Sequence, residues 1–106
     1  MLEIRDTEFD EFVKEGVVLV DLWAPWCGPC RVLGPIVDSL SNEMIAENSS
    51  VKIAKMNVDE SRDKAVELGV TSIPTILIYK DGEIVERKTG VVQKPKLREL
   101  IEKYIS

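Results

Sequence analysis

The chain has no histidine and only two cysteines, Cys27 and Cys30, in 106 residues. A structural zinc site takes about four Cys or His ligands. This chain alone cannot supply them, so a metal would need carboxylates or the cysteine pair of a second chain. No stretch approaches the roughly 18 apolar residues of a membrane span. Positive charge is scarce as well: 14 Lys and Arg stand against 19 Asp and Glu, for a formal net charge of -5. With no basic run as long as a polybasic patch, neither a nucleic-acid surface nor a membrane surface is expected. There is no G-x-G-x-x-G and no P-loop, so a nucleotide cofactor has no recognisable cradle. Met1 to Asp6 is charged by its third position and lacks the apolar centre of a signal peptide. The expectation is a cytoplasmic protein. In that compartment structural disulfides are rare, and an isolated C-x-x-C is more often catalytic or metal-binding.

What the chain does have is an apolar run, Val17 to Leu22, that stops at Cys27-Gly28-Pro29-Cys30, where a helical pattern begins. A cysteine in the first turn of a helix sits among backbone N–H groups without intrahelical partners and beside the positive end of the helix dipole. Both favour thiolate over thiol. The two-residue spacing keeps the second sulfur one turn away, where the pair can close into a disulfide with little backbone movement. Pro29 is tolerated there because its missing N–H had no partner to lose. A loop this short constrains the unfolded chain only modestly, so an inert structural disulfide would contribute little. Dithiol–disulfide chemistry is favoured, with metal sharing and a structural bridge as the alternatives.

Length and 44% hydrophobic content suit one domain over residues 1–106. Asp6 or Thr7 is the expected cap of a first helix with Phe9, Phe12 and Val13 on one face, ended by Gly16. The run from Val17 shows no polar alternation, as in a strand covered on both faces, and should be central. After Cys30, Val32, Ile36, Leu40 and Met44 recur every fourth position with Leu33 and Val37 beside them, predicting one apolar helix face. Val51 to Val58 alternates as a strand, with Val51, Ile53, Lys55 and Asn57 on one side. Asp59 is the expected cap of a short helix, with Ala65 and Leu68 inward and Gly69 as its stop. Thr75 to Lys80 and Ile84 to Thr89 flank Asp81-Gly82, a strong hairpin signal. A last helix presents Leu97, Leu100, Ile101, Tyr104 and Ile105 to the core. The order βαβαβ, then hairpin and helix, predicts an α/β fold: a mixed sheet of five strands flanked by four helices.

Asp21 interrupts the central strand, where a carboxylate is the least expected residue on burial grounds. It reads either as a structural acid satisfied by its neighbours or as a proton acceptor behind the cysteines. Trp26, next to Cys27, is either a core aromatic or a partly exposed docking residue, and Trp23 reads as buried scaffold.

Trp26-Cys27-Gly28-Pro29-Cys30, preceded by Asp21 and followed by Ile73-Pro74-Thr75, resembles the thioredoxin family over nearly the whole chain. That resemblance implies the thioredoxin fold and protein-disulfide reduction through a reversible Cys27–Cys30 disulfide, with no other cofactor. It favours Asp21 as a buried base and Lys55 as its neighbour. By residue statistics alone the Ile73–Pro74 bond would be trans; the family implies cis, facing the disulfide. Trp26, Gly28, Pro29, Ile73, Pro74, Gly90 and Val91 become the expected surface for target proteins, with the Ile73 backbone pairing to an extended segment. Gly28 and Pro29 carry no group that over-stabilises a thiolate, which leans the pair toward a reductant; family oxidases and isomerases commonly place histidine there. Electrons are expected from a flavin- and NADPH-dependent thioredoxin reductase, and the protein is expected to be a monomer. The competing expectation is a redox-independent binding subunit that uses the same apolar rim.

Overall fold

The computed structural model describes residues 1–105. In chain order its elements are β1 (Leu2–Glu3), α1 (Asp6–Phe12), β2 (Val17–Trp23), α2 (Gly28–Ala46), β3 (Lys52–Asn57), α3 (Arg62–Glu67), β4 (Thr75–Lys80), β5 (Glu83–Thr89) and α4 (Lys94–Glu102). The strands form one sheet in the order β1-β3-β2-β4-β5. β3 runs parallel to β1 and β2, whereas β4 is antiparallel to both β2 and β5. The five strands and four helices are those expected, with the unalternated run of β2 at the centre. No helix among the described residues is long and apolar enough to cross a membrane.

Alternation along β2 divides the core. Val17 and Leu19 point to one face, where they meet Leu33, Val37, Leu40 and Met44 of α2 and Leu97, Leu100 and Ile101 of α4. Val18, Val20 and Leu22 point to the other, against Phe9 and Val13 of the first helical segment, Met56 and Tyr79. Because side chains two apart along a strand share a face, Asp21 and Trp23 lie on the α2 side. The Asp81-Gly82 turn has φ of +50° and +88°, the left-handed pair that a two-residue hairpin needs. It joins β4 to β5 with Lys80 opposite Glu83.

Three local expectations are corrected. Helix α1 begins after Arg5, not after Asp6 or Thr7: the Glu8 side chain reaches back to accept the Arg5 N–H at 3.1 Å, and the Asp6 N–H, first of the helix, donates to the distant Ser61 Oγ at 3.0 Å. Helix α3 follows Ser61, not Asp59, because Asp59 is held in the preceding turn by its N–H to Asn57 Oδ1 at 2.9 Å. On α2, Val32 is 55% exposed while Leu33 is fully buried. Residues four apart drift by about 40° per step around a 3.6-residue helix. A line from Val32 to Met44 therefore starts off the buried face and reaches it only at Leu40, and the core stripe is Leu33, Val37, Leu40 and Met44.

Charges tie α2 to α4 on the outside. Arg98 bonds Glu43 at 3.1 Å and Glu47 at 2.7 Å, and Lys94 also pairs with Glu43. The hydrogen bond from Lys94, and after it that from Arg98, holds the Glu43 carboxyl below its usual range, but these groups are solvated and such pairs add little each. The buried stripe is the larger contributor. Leu33→Ala should cost about 2–5 kcal/mol in denaturant melts, whereas Val32→Ala should stay within about 0.5 kcal/mol; equal losses would contradict the face assigned here.

Candidate functional site

The site forms where β2 ends. A short turn returns the Cys27 N–H to Ala24 O at 3.2 Å, and Cys27 is the N-cap of α2 with extended φ and ψ of -90° and 113°. The helix therefore starts on a sulfur: Cys27 Sγ accepts the backbone N–H of Cys30 at 3.2 Å. A serine or aspartate oxygen usually makes this capping bond. Gly28 and Pro29 occupy the first helical positions, where proline's lack of an N–H removes nothing. Cys27 and Cys30 form a disulfide with their Cα atoms 5.3 Å apart, a separation such a bond spans without backbone movement.

The two cysteines are equally buried, 4% for Cys27 and 6% for Cys30. An outer, open sulfur over a shielded one is thus not what distinguishes them in the disulfide form. They differ in the space each faces. Cys30 lines a cavity of about 310 Å³ together with Asp21, Trp23, Pro35 and Lys55, and Cys27 is not part of its wall. Cys27 instead packs with Ala24 and Cys30 in a small cluster, against which Trp23, Val58 and Ile73 lie.

Asp21 is 2% exposed, and its Oδ1 has no hydrogen-bond partner. Burial pushes its carboxyl from the ordinary 3.8 up to about 7, and the positive charge of Lys55 opposes that rise. Strand register brings the two together, Asp21 of β2 standing opposite Lys55 of β3. The Lys55 ammonium lies 4.9 Å above the ring of Trp23. Trp23 is half-buried with its indole N–H unpartnered, in keeping with scaffold that also lines the cavity.

Trp26 is 67% exposed, and its indole N–H donates to Asp59 Oδ2 at 3.0 Å. That bond fixes a large apolar ring at the surface beside Cys27. Reading Asp59 as a helix cap missed this role, and nothing in the local sequence marks it. The Ile73–Pro74 peptide is cis. Ile73 is half-buried against the cysteine cluster, and Pro74 O accepts the N–H of Gly90 at 2.9 Å, which draws the end of β5 to the same rim. Val91 follows with 39% of its surface exposed. All the residues singled out in the sequence, from Asp21 to Val91, therefore fall on the cysteine cluster, on the cavity behind it or on the segments beside it.

Asp21 gives the site a measurable pH signature. Its folded-state pKa lies above its unfolded value, so the folded chain holds the proton more tightly. The penalty for ionising it is absent below about pH 4, grows as pH rises and is complete above about 7. Asp21→Asn removes the penalty, and at pH 8 it should stabilise the fold by up to about 4 kcal/mol. Denaturant melts of both proteins at pH 4 and pH 8 should show the gap widening with pH; a gap independent of pH would contradict the burial of a titrating carboxyl.

Comparison with known proteins adds four findings. The family model described as thioredoxin matches residues 1–103. The chain is 44% identical over 105 residues to the thioredoxin of Bacillus subtilis (strain 168), covering 99% of this chain and 98% of that one. It is 46% identical over 103 residues to the thioredoxin of Listeria monocytogenes, with 97% of each covered. Among solved structures, a mutant thioredoxin from Halobacterium salinarum NRC-1 superposes with a TM-score of 0.84 at 37% identity, over 99% of this chain and 90% of that one.

Proposed function

The chain belongs to the thioredoxin family, and on that premise we propose that it is a general protein-disulfide reductase in which Cys27 attacks and Cys30 resolves. It is a thiol–disulfide oxidoreductase that works through its own cysteine pair, acting on disulfide-containing proteins and restored by reductase partners. The bond from the Cys30 N–H to Cys27 Sγ carries the assignment of roles. A sulfur that already accepts a helix-start N–H is the one whose negative charge that helix start stabilises.

In the reduced protein the Cys27 thiolate attacks one sulfur of a target disulfide. A bond forms between Cys27 and that sulfur, and the other target sulfur leaves as a thiolate. Cys30 then attacks Cys27 Sγ, closing the Cys27–Cys30 disulfide and releasing the second target sulfur. Two electrons pass to the target, two protons join its sulfurs, and the chain's dithiol is oxidised. Cys30 must lose its proton first, in apolar surroundings that raise a thiol's pKa. Asp21 is the base, reached across the cavity that both residues line and kept near neutrality by its burial. Lys55 limits that rise by its charge. A carboxyl left at 3.8 would be too weak a base at neutral pH, which is the use of an otherwise costly buried acid.

Trp26, Gly28, Pro29, Ile73, Pro74, Gly90 and Val91 form the surface on which targets dock, an extended target segment pairing with the backbone at Ile73. Oxidation of the pair at each turnover calls for an external two-electron donor, for which we infer a flavin- and NADPH-dependent thioredoxin reductase. We further infer that the protein acts as a cytoplasmic monomer, and that it is one domain, the last supported by a family model that runs over residues 1–103.

Cys27→Ser should abolish dithiothreitol-driven reduction of a protein disulfide such as insulin, while Cys30→Ser should accumulate a covalent adduct with the target, seen as a band shift that thiol removes. Full activity in the Cys27→Ser protein would overturn the assignment. A double cysteine variant that keeps the cellular role would favour the redox-independent binding subunit instead.

A further inference from the structure

We propose that Arg62 selects among target proteins, favouring disulfides whose flanking segment carries a carboxylate over the groove beside Trp26. This rests on the reductase reading above. The groove, about 240 Å³, starts at Trp26 and Ile73, so it is continuous with the surface around the cysteines, and it ends against α3. Val58, Ala65, Val66 and Val70 supply its apolar lining. Val66 is 77% exposed, a branched apolar side chain left in water on the groove wall. A target segment with a bulky apolar residue would cover it. Arg62 stands one helical turn before Val66 and lines the same groove, which places a cation beside that apolar contact.

Two charged residues near it have partners of their own. Asp59 accepts the Trp26 indole N–H. Lys64, the other cation of α3, pairs with Asp10 and Glu67, both at 2.9 Å. Arg62 has no ion pair or side-chain hydrogen bond among the described residues, and its sequence neighbours Glu60 and Asp63 do not line the groove. Asp59 does line it, at the Trp26 end, and its charge opposes a carboxylate there. The preference is therefore positional. It acts on a target residue that reaches α3 and not on one next to the attacked sulfur. A planar guanidinium with free donors pairs with a carboxylate through two parallel bonds, which a lysine ammonium cannot do.

The test uses reduced wild-type, Arg62→Ala and Arg62→Glu chains, recycled by dithiothreitol. Their kcat/KM is measured on cystine peptides that carry aspartate or lysine in turn at each position flanking the attacked cysteine. At one flanking position the wild type should prefer aspartate by about two- to five-fold at low ionic strength, the range of an exposed ion pair. That ratio should shrink in high salt, fall to about one in Arg62→Ala and invert in Arg62→Glu. A ratio of about one at every position in the wild type overturns the proposal, as does an aspartate preference that Arg62→Ala leaves unchanged. A wild-type chain that reduces none of the peptides contradicts the reductase reading itself.

Discussion

The bond between the Cys30 N–H and Cys27 Sγ is the interaction from which the rest of the site follows. It exists because α2 starts at the end of a strand buried on both faces, so the strand's packing fixes where the helix begins. Leu33, Val37 and Leu40 anchor α2 on the sheet. Once those residues are seated, the sulfur of Cys27 occupies the position of a capping oxygen, and Cys30 is carried inward toward Asp21. Helix start, disulfide and cavity are consequences of one register between β2 and α2.

Asp21 is the cost of that arrangement. Strand alternation turns it to the α2 face together with Val17 and Leu19, which belong to the apolar cluster there. An unpaired carboxylate there destabilises the fold at the pH where the protein would act. Two things limit the cost: the carboxyl holds its proton up to about pH 7, and Lys55, opposite it in the parallel ladder, stabilises the charged form once the proton is lost. In the proposed mechanism the group that weakens the fold is also the one that takes a proton from Cys30, so stability and reactivity would compete at a single side chain.

The fold was largely legible because its strongest signals are local. The unalternated run of β2, the Asp81-Gly82 turn and the C-x-x-C at a helix start each follow from residue chemistry over a few positions. The misses came from partners distant in sequence. Ser61 accepts the first N–H of α1 across 55 residues, and Asp59 spends its carboxylate on Trp26 across 33; both contacts exist only once the chain has folded. The α2 face went astray by geometry, since a strict four-residue repeat is not the period of a helix. Lys55 was legible only through family resemblance, because a lysine in a strand otherwise reads as solvated. The roles expected of Cys27 and Cys30 rest on the helix start and on an outer position for Cys27, and in the disulfide form the two cysteines are equally buried. The structure instead separates them by surroundings: Cys27 takes the helix-start bond, and Cys30 shares the cavity with the buried acid.

That asymmetry can be measured without a target protein. Fully reduced chain treated with limiting iodoacetamide at neutral pH, quenched at intervals and digested for mass spectrometry, reports the alkylation rate at each cysteine. Cys27 should react roughly tenfold faster or more, as a thiolate stabilised at a helix start does against a buried thiol. Equal rates, or faster modification of Cys30, would contradict the assignment of attacking and resolving sulfurs.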